Sequence, residues 1–220
     1  MHNASMTAPS AEVALVVAAV KTELPAKWAQ WGGGWPNEVE AALIDAVLSI
    51  RSRYGKKPTS GVRGSIGRYR ADRDTAPLDD LDALAGYSLD RLTTVLDNRQ
   101  KTGGVPKAQA LISAAGVLST TGIRHAAELD PTSVKHRAAY CSVKGLGPVT
   151  WTYFTMLLGH PGVKADTWIV RFTTAALGRP VTSIQAGQVI TGAATELGVS
   201  STDLDHAIWR HLSTKRPSSG

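Results

Sequence analysis

Residues 143–172 read VKGLGPVTWTYFTMLLGHPGVKADTWIVRF. Gly145 and Gly147 flank Leu146, with Lys144 just before them. Pro148 suits the first turn of a new helix, where a missing N–H leaves no hydrogen bond unmade. Trp151, Phe154, Leu157 and Leu158 then recur at helical spacing. The stretch GHPGVKA (159–165) breaks that pattern, and Asp166 stands directly before the helical TWIVRFTTAALG, which Gly178 ends. The segment therefore predicts helix, tight turn, helix, loop, and a helix capped by an aspartate.

A Gly-Leu-Gly turn leaves the backbone amides at the start of its second helix uncovered. Those N–H groups, with the helix dipole behind them, form an anion site. Glycine lets a phosphate come close to the main chain. Leu146 is placed to turn inward and lock the two helices together. A simple packing corner explains the same pattern, and Asp166 is an N-cap on either view.

The rest of the chain also reads as helices. Residues 11–24 form one, stopped by Pro25. The Gly-rich WAQWGGGWP (28–36) carries three tryptophans that are expected to pack back onto the domain. From Glu38 to Ile50, Val39, Ala42, Leu43, Ala46, Val47 and Ile50 make an amphipathic, central helix. Short helices are predicted at 78–86 and 88–98, the second with Ser88 as its cap. Longer ones follow at 106–118, from Asp130–Pro131 to about Ser142, at 184–197 with Ser183 as cap, and at 202–213. No convincing strand alternation and no internal repeat is present. The predicted class is all-α, with loose tails at 1–10 and 214–220.

The chain has 220 residues, enough for a substantial core. It holds 24 Lys+Arg against 18 Asp+Glu, a net charge of +6. That balance favours a polyanionic partner, nucleic acid before an acidic membrane surface. The single cysteine, Cys141, excludes an intramolecular disulfide framework and a four-cysteine iron–sulfur cluster. The histidines show no helical metal-ligand spacing. The apolar run Val13–Val20 is too short to span a membrane and lacks the flanks of a signal peptide. A cytosolic, nucleoid-associated protein is expected.

Eight of the 24 basic residues fall within 51–73, among glycines and two tyrosines, with Asp72 the only acid. This segment is either a solvated loop or one that tracks a phosphate backbone. The turn at 101–107, with Lys101, Gly103, Gly104 and Lys107, is either a plain helix-end turn or a further phosphate contact.

The 143–172 stretch resembles the helix-hairpin-helix DNA glycosylases of the endonuclease III type, the HhH-GPD superfamily. Gly145, Gly147, Thr150, Asp166, Thr167 and Arg171 match its signature in type and spacing. ALIDAVLS (42–49) and GVPKAQAL (104–111) are similar to two of its upstream helices. The likeness spans roughly 38–213 and is specific over 140–178. It implies a two-lobe, all-α glycosylase fold: a central lobe of 38–165, a terminal lobe of 11–37 with 166–213, and DNA in the cleft between them. It also implies a monomer that hydrolyses the N-glycosidic bond of a damaged or modified base in duplex DNA. The alternative is a non-catalytic helix-hairpin-helix protein that binds DNA structure or damage.

Cleaving that bond develops positive charge on the sugar, which a carboxylate can stabilise while it orients or deprotonates a water. Asp166 is the candidate for this role. In bifunctional members of the family a lysine fills the position of Val149 and attacks C1′ as an amine. Valine implies a monofunctional enzyme that uses water. The resemblance assigns DNA contact to Lys144, Gly145, Leu146, Gly147, Val149 and Thr150. Lys107 and Lys164 are added as phosphate contacts, and Arg51 and Arg53 as the region that fills the gap left by a flipped base. Candidate base-pocket residues are Tyr54, Tyr140, Trp151, Tyr153, Trp168 and Trp31, for each of which core packing is the alternative. The main-chain carbonyls of Cys141, Val143 and Leu146 match a monovalent-cation site of the family. No cofactor is required by this reading, and no iron–sulfur cluster is expected.

Overall fold

The computed structural model describes residues 10–52, 59–74 and 77–214. Arg53 and Tyr54 lie outside the described residues, as does most of each predicted tail. The described residues form eleven α-helices and one minimal β-hairpin. The chain divides into two compact units, Gly33–His160 and Met1–Gly32 with Pro161–Gly220.

In the first of these, α2 (Val39–Leu48) is buried at all ten positions. An apolar-rich helix enclosed on every side must pair its polar side chains internally. Glu40 does so with the Tyr69 hydroxyl, the Arg73 Nε at 3.1 Å and the Asp80 N–H at 3.0 Å. Asp45 accepts from Trp35 Nε1 at 2.9 Å and Ser49 Oγ at 2.9 Å. Around α2 stand α3 (Gly61–Arg73), α4 (Leu81–Ala85), α6 (Lys107–Ser119) and α8 (Pro148–Leu157). Helix α5 (Leu89–Leu96) packs on α3 and α6, and α7 (Val134–Ser142) lies against α6 and α8.

Three local expectations are corrected here. The basic stretch after Ser60 is helix α3, whose arginines are largely occupied. Arg70 grips Glu38 with two bonds, Arg73 pairs with Glu40, and Arg68 donates to the Leu96 carbonyl at 2.7 Å. Acids distant in sequence neutralise this charge, so it does not form a free phosphate-tracking loop. Asp130 closes a turn with Thr132 and leaves the cap of α7 to Ser133, whose Oγ accepts the His136 N–H at 3.3 Å. Finally, β1 (Lys101–Thr102) and β2 (Val105–Pro106) pair antiparallel, too short to show any alternation in sequence.

The other unit is a cluster of α1 (Ser10–Glu23), α9 (Thr167–Leu177), α10 (Ser183–Leu197) and α11 (Ser201–Thr214). Its core includes Val16, Val20, Ile169, Phe172, Ile190, Leu204 and Ile208. Helix α10 begins at Ser183, the residue expected to cap it, and the cap is Thr182. Thr182 and Gln185 exchange side-chain and backbone bonds in a reciprocal box, at 3.2 and 3.0 Å. Of the loop tryptophans, Trp28 packs on this core, the Trp31 N–H donates to Asp203 Oδ1 at 2.6 Å, and Trp35 serves Asp45 in the unit described first.

Candidate nucleic-acid interface and carboxylate site

Helix α7 ends with the Val143 N–H donating to the Tyr140 carbonyl at 3.2 Å. The chain then turns: the Leu146 N–H closes onto the Val143 carbonyl at 3.0 Å, and Gly145 takes φ 90, a conformation that disfavours any side chain. Gly147 is extended and Pro148 begins α8. Thr150 Oγ1 accepts the Gly147 N–H at 3.0 Å and donates back to its carbonyl at 2.8 Å. The signature threonine therefore fastens the turn to the helix it starts. The amides of Val149 and Thr150 lie in a first turn, where helix geometry supplies no carbonyl partner.

Lys144 and Gly145 are exposed, while Leu146, Gly147, Val149 and Thr150 are half-buried. Beneath the turn, Tyr140 stacks on Phe154 at 5.8 Å between centroids, and both contact Trp151. Tyr140 and Trp151 are core residues, 0% and 3% exposed. This corrects their candidacy for a base pocket: the same rings knit α7 to α8. Tyr153 is half-buried and its hydroxyl donates to Asp45 Oδ1 at 3.3 Å. Burial pushes the Cys141 thiol up, against the opposing pull of Arg137. The Cys141, Val143 and Leu146 carbonyls lie at the C-terminal end of α7 and in the turn, and that of Val143 takes the Leu146 N–H.

The β-hairpin supports this turn from behind. Thr102 Oγ1 donates to the Gly145 carbonyl at 2.8 Å, with Lys101, Gly103 and Gly104 exposed beside it. Lys107 is placed differently from the expectation. It is 1% exposed, and its ammonium donates to the carbonyls of Leu48 and Ile50, to Ser52 Oγ and to Gln100 Oε1 at 2.7–3.0 Å. Lys107 is an internal clamp on the end of α2, not the exposed lysine that a phosphate contact calls for; burial draws it down to about 8. Arg51, just beyond that clamped helix end, is exposed.

The second site begins with a tightly wound loop. The Ala165 N–H donates to the Val163 carbonyl at 3.0 Å, and the Asp166 N–H to the Lys164 carbonyl at 2.5 Å. Two successive three-residue turns deliver Asp166 to the start of α9. There Oδ1 accepts the N–H groups of Trp168 at 2.8 Å and Ile169 at 3.4 Å. Such a cap contributes about 1 kcal/mol to the helix. Asp166 and Trp168 are half-buried, and the Arg171 guanidinium lies 5.7 Å from the Trp168 ring.

Sequence reading missed a neighbour of this cap. Asp205, on α11, is buried, accepts the Lys164 N–H, and feels the negative charge of Asp166. Its signal was present but faint: an acid among Leu204, Ala207 and Ile208, on the buried side of an amphipathic helix. Among the described residues no group of three His, Cys, Asp or Glu side chains forms a metal site, and no helix is long and apolar enough to cross a membrane.

Two solved structures share this helical fold. One is described as MBOgg1 in complex with a low affinity DNA ligand, with a TM-score of 0.56 and 14% identity over 79% of this chain. The chain spans 59% of that protein's length. The other is a thermostable thymine-DNA glycosylase, with a TM-score of 0.55 and 14% identity, covering 96% of this chain and 88% of that one. The mostly helical architecture thus resembles DNA glycosylase folds. No curated protein matches the sequence. Residues 14–213 match the family described as "Domain of unknown function (DUF8548)", and the chain belongs to that family.

Proposed function

We propose that the protein is a monofunctional DNA glycosylase, which hydrolyses the N-glycosidic bond of a damaged or modified base in duplex DNA. The observation that carries this reading is the cap geometry of Asp166. Its Oδ1 is fixed by two backbone amides, and that fixes the side chain of a half-buried carboxylate. A carboxylate held in place before the reaction stabilises developing positive charge without reorganising.

In the proposed reaction the hairpin holds one DNA strand. The Lys144 ammonium, the Gly145–Gly147 backbone and the first-turn amides of Val149 and Thr150 meet phosphate oxygens, contacts that position the duplex without reading its sequence. The carbonyls of Cys141, Val143 and Leu146 would hold a monovalent cation, which would add a positive charge toward the same phosphate. Asp166 stabilises the cationic sugar as the C1′–N bond breaks and orients the water. The C1′–N electron pair leaves with the base, the water's oxygen bonds C1′, and the proton that the water gives up ends on the departing base. Val149 offers no amine, so no Schiff base forms and the product is an intact strand with an abasic site. The substrate is lesion-bearing duplex DNA, met by a monomer at the nucleoid.

The competing reading is a binder in which Asp166 only caps α9, a role its two amide bonds would also fill. Incubation with duplexes carrying a panel of lesions, followed by hot alkali, separates the two. Alkali-dependent breaks that fall at least a hundredfold in Asp166→Asn support the enzyme; asparagine keeps the cap, so folding survives. Binding to every duplex without breaks would establish the binder. A covalent adduct trapped by borohydride would refute hydrolysis by water.

A further inference from the structure

The loop that carries Asp166 is tied down from α11. The Gly162 N–H donates to Thr202 Oγ1 at 3.1 Å, and that hydroxyl donates back to the Gly162 carbonyl at 3.3 Å. One helical turn on, the Asp205 carboxyl takes the Lys164 N–H. Asp205 is 8% exposed, and its Oδ1 is buried without a hydrogen-bond partner. A bare buried oxygen on an ionised carboxylate is costly, and the negative charge of Asp166 nearby adds to that cost. A protonated carboxyl removes both penalties.

We propose that Asp205 is a positioning residue for Asp166: a neutral buried carboxyl that fixes the 162–166 loop and leaves the pair a single negative charge. Its role in the reaction rests on the glycosylase reading; its charge state and its hold on the loop do not. Burial first, and then the charge of Asp166, push Asp205 up to about 8, against the opposing pull of Lys164's ammonium and N–H. The helices packed on α11 carry few other charges: Arg171 on α9, set against the Trp168 ring, and exposed Glu196 on α10. Helix α11 itself adds Asp203, engaged by the Trp31 N–H, and His206, Arg210 and His211. At neutral pH the pair therefore presents one charge, on Asp166, to a cationic sugar. Above about 8 it presents two.

The sign of the stability effect follows. The folded chain keeps a proton that an unfolded aspartate, with its ordinary value of 3.8, releases. Stability from this group is greatest below that value and falls as pH climbs to about 8.

The test is a pH titration of the full chain labelled with carbon-13 at the aspartate carboxyls, the Asp205 signal being identified by its loss in Asp205→Asn. The expected midpoint lies within a unit of about 8, and it falls by roughly half a unit in Asp166→Asn as the like charge is removed. Exchange of the Lys164 amide is expected to quicken by about tenfold or more in Asp205→Ala and to remain slow in Asp205→Asn. A midpoint near 4, or one indifferent to Asp166→Asn, would overturn the proposal. So would a Lys164 amide that exchanges equally in both variants. If Asp205→Ala does not fold, the titration in wild type and Asp166→Asn decides alone. A coupled titration in a protein that releases no base would sink the glycosylase reading and leave the carboxyl pair. Base release with no coupling would do the reverse.

Discussion

Gly103 and Gly145 meet backbone to backbone. A Cβ on Gly103 would stand 2.6 Å from the Gly145 Cα, and a Cβ on Gly145 would stand 2.6 Å from the Thr102 carbonyl. Both residues have positive φ. The hairpin turn is therefore braced by a second turn that has no room for a side chain on either partner.

Gly145→Ala should destabilise the chain by about 2–4 kcal/mol, from left-handed strain and the backbone clash together. Gly147→Ala separates packing from binding. Gly147 is extended, and an added Cβ meets nothing within 4 Å. Urea denaturation should show a change under about 1 kcal/mol, while fluorescence anisotropy with a short duplex should show affinity down about tenfold. Unchanged affinity would reduce the turn to a packing corner.

Lys107 and Lys144 should behave in opposite ways. Lys107→Met leaves four oxygens without their shared donor and is expected to cost about 3 kcal/mol. The salt dependence of DNA binding, measured on whatever fraction folds, should keep its slope. Lys144→Met should leave stability nearly untouched and reduce that slope by about 0.9. A reduced slope in Lys107→Met would show that its ammonium reaches DNA after all.

The Glu40 network should dominate stability in its unit. Glu40→Gln strands Arg73 in a largely closed setting and weakens the bonds to Tyr69 and the Asp80 amide. A loss of about 3–5 kcal/mol is expected. Arg91→Ala breaks an ion pair to Asp72 whose arginine is mostly solvated, and should cost under about 1 kcal/mol. Equal losses would mean that burial does not govern these pairs.

Features set by neighbours along the chain were legible in the sequence. The cap at Ser88, the restart at Pro148 and the cap at Asp166 depend on residues within a turn or so of each other, and all three are in place; α2 is the expected central helix but not the expected amphipathic one, since Val39–Leu48 is buried at all ten positions. Features set across the fold were not. Arg70 and Arg73 looked like free charge because Glu38 and Glu40 stand more than thirty residues away. Lys107 looked like an exposed lysine at a helix start because its acceptors come from the end of α2 and the turn before β1. Asp130 and Ser133 are both good caps, and only the path of the chain decides between them.

The candidate site divides along the same line. The hairpin and Asp166 are local motifs and could be read directly. Asp205 is not, since its effect on Asp166 depends on how α11 packs on α9. An acid on an apolar helix face signals a buried group, but not which one it serves.

The bonds from Thr202 and Asp205 bear on how the protein comes into being on the ribosome. The unit from Gly33 to His160 is one continuous run and can fold as it emerges. The loop before Asp166 cannot be fastened until α11, some forty residues later, has been made. Translation that stops short of α11 would release a chain with its hairpin formed and its carboxylate unsecured. The order of synthesis would then complete the hairpin turn before the loop that holds Asp166.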